Sequence, residues 1–486
     1  MTARTHARSA AAVALSAATV LGVTGLAPAA AAGTGLAPAA AAAAAPTAAG
    51  RTSSDFNGDG RPDLAITSPT MTVDGLRQAG AVTVVYGSAT GYDTAHSQII
   101  TQATDGVPGD PTAERRWGYL GGNGDLNSDG YDDLLVRSSS RWTVLWGGTN
   151  GLSGAGELPA AGGGEGTPSS PWLFNYQADV GDIDGDGTAD LAAPAQVDGA
   201  WGLAVYHGPF DRTGAPERIE FRDTEEKDDG YAPGTVFVGD MTGDGVADIV
   251  THGNERDLTS TGRLYVGSAS GLTDAGTIKA TGGGAFGDID GDGYQDFVSG
   301  NGDPGTAAAP GGAVYVTYGG PGGMSTTRAP RTLTQSTTGV PGVDEKNDRF
   351  GDDVVLGDTN GDGYDDLVIG APWETGSDPE ATSRAGAVTV LRGGPHGVTT
   401  TGAQVITQNT KNVPSTSEAG DHFGAAVHVA DGEVVVGGNG EDSWKGRVWR
   451  LPATAGGVTG TGSTSFNVTA LSGPSGAAHF GEAFSR

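Results

Sequence analysis

A nine-residue acidic segment recurs six times along this chain, and that repetition constrains the fold more than any other feature. The fullest copy is Asp358-Thr359-Asn360-Gly361-Asp362-Gly363-Tyr364-Asp365-Asp366, followed at once by Leu367-Val368-Ile369-Gly370-Ala371-Pro372. Oxygen-bearing side chains stand at positions 1, 3, 5 and 9, and a glycine at position 6 permits the sharp reversal that lets them converge. Hard divalent cations such as calcium take oxygen ligands. An EF-hand would continue to a glutamate at position 12, whereas Ile369 stands there and positions 10 to 12 favour β structure. The segment therefore reads as a metal loop inside a β-hairpin.

The same spacing returns at Asp55, Asn57, Asp59 and Asp63; at Asp125, Asn127, Asp129 and Asp133; and at Asp182, Asp184, Asp186 and Asp190. It returns again at Asp240, Thr242, Asp244 and Asp248, at Asp288, Asp290, Asp292 and Asp296, and in the quoted copy at Asp358, Asn360, Asp362 and Asp366. Single Asp/Asn/Gly segments also form ordinary turns. Six copies with glycine at position 6 and an apolar residue at position 10 do not fit that explanation. The copy with Thr242 at position 3 has the weakest ligand set. The loops hold a large part of the 58 acidic residues and of the formal charge of −31, and such crowding is unfavourable without a cation.

That charge makes nucleic acid or an anionic membrane an unsuitable direct partner, since phosphate binding needs basic patches. The absence of cysteine excludes disulfides, thiol catalysis and cysteine zinc sites. Arg4 and Arg8 precede an uncharged, alanine-rich run from Ser9 to Gly50 interrupted by Pro28 and Pro38. This is expected to be a secretory signal over residues 1–32 and an Ala/Pro leader over 33–50, with the mature chain secreted and without a membrane span.

Residues 51–486 exceed one ordinary core, so a repeat array is expected. The loops open at intervals of 48 to 70 residues. An apolar strand precedes each loop after the first, another follows each loop directly, and a third is bounded by glycines: 80–87, 141–147, 200–208, 262–267, 312–320, 386–394 and 446–452. A fourth follows, as in 97–102, 330–335 and 403–408. Four short antiparallel strands per unit is the form of a propeller blade. The predicted fold is all-β, a seven-bladed β-propeller of four-stranded antiparallel blades.

In the seventh unit Asp431-Gly432-Glu433 leads straight into Val434-Val435-Val436, so the loop is replaced by a tight turn and no calcium is expected there. The first unit lacks sequence for its first strand. His479-Phe480-Gly481-Glu482-Ala483-Phe484 supplies the missing piece, so the ring is expected to close through the C-terminal strand, hiding edges open to aggregation.

Phe350-Gly351, the loop from Asp358 to Asp366 and Gly370-Ala371-Pro372 together resemble the FG-GAP repeat of integrin α-chain propellers and of many secreted bacterial proteins. The likeness is nearly complete in the sixth unit and partial elsewhere: Trp117-Gly118 stands for Phe-Gly in the second, and the fourth and fifth lack the Phe. The resemblance implies a seven-bladed propeller with calcium between the first and second strands, up to six ions in all.

In an up-and-down blade the metal loops and the short 3–4 turns share one face. The 2–3 and 4–1 connections on the other face vary, as recognition loops do; candidates are 68–79, 223–231 and 371–385, with Trp373 an aromatic for stacking on a sugar or partner. The expected function is a secreted calcium-binding adhesion or recognition module for an extracellular protein or glycan, bound on the face opposite the loops. The alternative is a secreted hydrolase acting on polysaccharide or another extracellular polymer. No nucleophile elbow, zinc-protease motif or phosphate loop is present, and the histidines are scattered, with His422 and His428 beside a first strand.

Overall fold

The second and third strands of the repeat are runs of Val, Leu, Ile and Ala, and they bury both faces. Asp366–Ala371 is buried throughout, pairing antiparallel with Val354–Gly357 on one side and Ala387–Arg392 on the other. Thr399–Ile406, rich in threonine, completes that sheet as its half-exposed outer strand. The computed structural model describes residues 54–137, 141–161, 177–224, 231–254, 260–303, 308–376, 383–430, 432–474 and 476–486. The expected signal and leader lie outside them, as do Asp431, most of 223–231 and part of 371–385.

The described residues belong to one compact unit, Pro46–Arg486. It is a seven-bladed β-propeller whose sheets add their strands in chain order from the centre outward. The second blade runs Tyr119–Gly124, Asp133–Arg137, Trp142–Leu145, Ala155–Glu157. The third runs Asp179–Gly181, Asp190–Val197, Ala200–His207, Arg218–Asp223, and the others follow suit. The one helix among the described residues, Glu441–Trp444, contains left-handed Asp442 and Ser443 and amounts to a turn. In the seventh blade Phe423–Ala430 and Glu433–Gly438 stay paired up to Ala430 and Glu433, so two residues make the connection where other blades carry the acidic loop.

The first blade has three strands of its own, Leu64–Ser68, Ala81–Val85 and Ser97–Ile100. The C-terminal segment supplies the inner one. Phe484 bridges Ile66 antiparallel, the Ser485 amide donates to the Ala65 carbonyl at 2.9 Å, and the Thr67 amide donates to that of Ala483 at 3.0 Å. Seven apolar clusters lie between neighbouring blades. The one joining the seventh blade to the first holds Leu64, Ile66, Val435, Val448, Phe466, Phe480 and Phe484.

Phe423-Gly424 opens its blade's first strand, Phe423–Ala430, as the sequence suggests, whereas the other aromatic-Gly pairs stand ahead of theirs. Phe350-Gly351 lies ahead of Val354–Gly357 and fastens its blade to the one before. The Phe350 amide donates to the Gly311 carbonyl at 2.7 Å, and a Cβ on Gly312 would stand 2.2 Å from the Phe350 oxygen. The clasp recurs at Trp117 on Gly80, Phe423 on Gly386 and Phe480 on Gly446. Each of these glycines has a positive φ and touches backbone, so no other residue fits without displacement. The residue before each aromatic is also left-handed: Arg116, Arg349, His422 and His479. At the fourth-to-fifth junction, where the aromatic is missing, buried Ala280 packs on Gly262 instead.

Candidate metal loops and ligand face

In all six loops the position-1 aspartate organises the turn through its own carboxylate. Its oxygen accepts the amide of the position-6 glycine: Gly60 to Asp55, Gly130 to Asp125, Gly187 to Asp182, Gly245 to Asp240, Gly293 to Asp288 and Gly363 to Asp358, at 2.8 to 3.0 Å. Those glycines have φ between 80° and 89°, which is why the repeat keeps glycine there.

The position-9 aspartates Asp63, Asp133, Asp190, Asp248, Asp296 and Asp366 are buried. Each accepts the amide of the glycine that ends its third strand: Gly87, Gly147, Gly208, Gly267, Gly319 and Gly393. The acidic loops and 3–4 turns are therefore tied together on one face. Burial, reinforced by neighbouring loop aspartates, pushes the carboxyls of Asp63 and Asp248 up to about 7 and those of Asp133 and Asp296 up to about 8.

Positions 3 and 5 differ more. Both amide atoms of Asn127 and the Oδ1 of Asp290 are buried without a hydrogen-bond partner. Asn360 directs its amide nitrogen to Asp366 at 3.1 Å, and the Thr242 hydroxyl donates to Asp240. Arginines from outside the loop touch three of the six: Arg212 meets Asp129 at 2.5 Å, Arg218 meets Asp184 at 2.8 Å and Arg328 meets Asp290 at 2.6 Å. Oxygen-rich loops with raised carboxyls and unsatisfied polar atoms fit a divalent ion, which would supply the missing partner and charge.

Two features escaped the sequence reading. The position-8 residue of one loop reaches back to position 1 of the preceding one: Asp132 accepts the Asp55 amide, Asp365 that of Asp288 and Gln295 that of Asp240, at 2.8 to 2.9 Å. The recurrence of Asp or Gln at that position was the available signal. The other is His207, which is not a scattered histidine: it lies against Asp184 and Asp190 in the third loop.

The model for the FG-GAP repeat matches residues 47–85 and 350–391, and that for the FG-GAP-like repeat matches 125–193. The chain carries FG-GAP repeats, set in a seven-bladed β-propeller. No match was found among curated proteins. FG-GAP propellers commonly bind calcium, and FG-GAP repeats are typical of extracellular domains. Among the described residues no helix is long and apolar enough to cross a membrane.

The opposite face of the FG-GAP propeller opens into a central funnel of about 690 Å³. Its walls come from the starts of first strands and the ends of second strands, including Tyr119, Arg137, His252, Asp303, Arg349 and Glu482. Arg486 lies deeper; its guanidinium meets Asp353 and the Gly284 carbonyl, and its carbonyl accepts from Asn123 at 2.5 Å.

Trp373, the aromatic singled out from sequence, is engaged by its own chain: the guanidinium groups of Arg384 and Arg349 lie 4.2 and 4.6 Å from its ring centroid. Trp444 on the same face is 44% exposed and stacks on His479 at 4.9 Å. Two buried carboxyl pairs flank this region. Asp348 sits with Glu374 and Asp421 with Glu441; burial, then the partner's charge, lifts both aspartates to about 7. Gln335 donates to Glu374 at 2.6 Å and Gln408 to Glu441 at 2.7 Å.

Proposed function

We propose that this protein is a secreted, calcium-loaded propeller that serves as an extracellular adhesion or recognition module for a protein or glycan. Calcium occupies up to six loops, on the donor set of each position 1, 3, 5 and 9, and the seventh blade carries none. The ions stiffen the architectural face while the opposite face meets the partner.

The observation that carries this reading is the polar funnel on the face of variable connections, with cationic Arg137 and Arg349 among acidic Asp303 and Glu482 and with Trp444 exposed nearby. A polar cavity with a few charged groups suits hydroxyl-rich or charged ligands. The test is a binding screen of the full chain against extracellular polysaccharides and proteins in millimolar calcium, followed by Arg349→Ala. Specific binding weakened about tenfold or more by the substitution, as expected for a lost charged hydrogen bond of about 1.5–3 kcal/mol, supports the reading. A screen with no specific binder counts against it.

A further inference from the structure

The third loop differs from the other five in one donor. At the residue just before the glycine that ends the third strand, the other loop-bearing blades carry Tyr86, Trp146, Val266, Tyr318 and Arg392. None of these offers an imidazole. Blade three carries His207, whose side chain is only 6% exposed.

Its Nδ1 stands 3.1 Å from Asp184 Oδ2 and 3.3 Å from Asp190 Oδ1, and neither ring nitrogen has a hydrogen bond of acceptable geometry. Three donor atoms thus crowd together without hydrogens aligned between them. Separations of that size are what adjacent ligands of one ion at about 2.0–2.2 Å require. The far nitrogen, Nε2, faces Glu220 Oε2 at 3.8 Å, the place where metal-bound histidines keep an orienting carboxylate. Asp182 and Asp186 complete the oxygen-rich surroundings.

We propose that the third loop is a mixed nitrogen and oxygen site that takes a divalent transition ion such as zinc, through His207 Nδ1, Asp184 and Asp190, in preference to calcium. Imidazole suits zinc and its neighbours, whereas calcium takes oxygen. Arg218 is half exposed and holds the same Asp184 oxygen at 2.8 Å, so an ion bound there has to displace it. This inference rests on the third loop's own geometry and narrows the calcium reading to at most the other five loops.

The test uses the full chain dialysed against zinc, and separately cobalt, in millimolar calcium, with bound metal measured per chain and cobalt followed by its visible absorption. Wild type is expected to keep one transition ion and to melt higher with zinc. His207→Gln is expected to weaken zinc by ~10- to 100-fold or more while its calcium-dependent melting shift persists. Failure of wild type to retain zinc, or equal retention by His207→Gln, overturns the proposal. Zinc retained by wild type alongside melting that ignores calcium would sink the calcium reading and leave this one standing.

Discussion

A carboxylate buried at position 9 is costly unless something answers its charge. For Asp63, Asp133, Asp248 and Asp296 the folded chain without metal holds the proton to about pH 7 or 8, against an unfolded value near 3.8. The folded state then binds more protons than the unfolded one between those limits. In chelator, stability is therefore fullest at low pH and falls as pH rises through about 4 to 8. A bound divalent ion favours the charged carboxylates, so protons and metal compete. The melting shift produced by calcium is expected to grow from pH 5 to pH 8, as calorimetry with and without chelator would show. A shift that shrinks over that range would contradict the assignment.

The strands themselves are ordinary; the glycine–aromatic clasp is the element that sets blade against blade. Gly386→Ala would put a Cβ 2.1 Å from the Phe423 carbonyl oxygen at φ +90°. It is expected to destabilise by at least about 2 kcal/mol, combining backbone strain with displacement of the neighbouring blade. Gly432→Ala, at φ +73° with nothing within 4 Å, carries the strain alone, about 1 kcal/mol. Denaturant unfolding of the two variants separates the terms, and equal losses would show that the clasp contributes nothing. The strand order and the loop positions were legible because periodicity and turn chemistry are local. The clasp was half legible: Phe350-Gly351 stood out as a motif, yet its partner Gly312 belongs to another unit 38 residues earlier.

For the whole ring, closure depends on residues 479–486 reaching the first blade. Phe480→Ala is expected to cost about 3–5 kcal/mol, as for other large buried aromatics, because the ring is fully buried between the first and last blades. Deleting residues 479–486 would uncover the edge of Leu64–Ser68 as well, so melting temperature should drop further and aggregation rise. Unchanged melting after the deletion would defeat closure by this segment.

Repeated short apolar runs, glycine at position 6 and six acidic spacings determined, from sequence alone, that this chain builds antiparallel blades with oxygen-lined hairpins. Tertiary structure alone decided which loops touch, since Asp132 finds Asp55 and His207 finds Asp184 and Asp190 only after the strands between them are laid side by side. It also decided that Trp373 is half-buried under two arginines while Trp444 is exposed. Hydrogen bonding and turn geometry act over a few residues and leave their mark in local spacing. Packing joins groups brought near by the curvature of the ring, and no spacing along the chain records it.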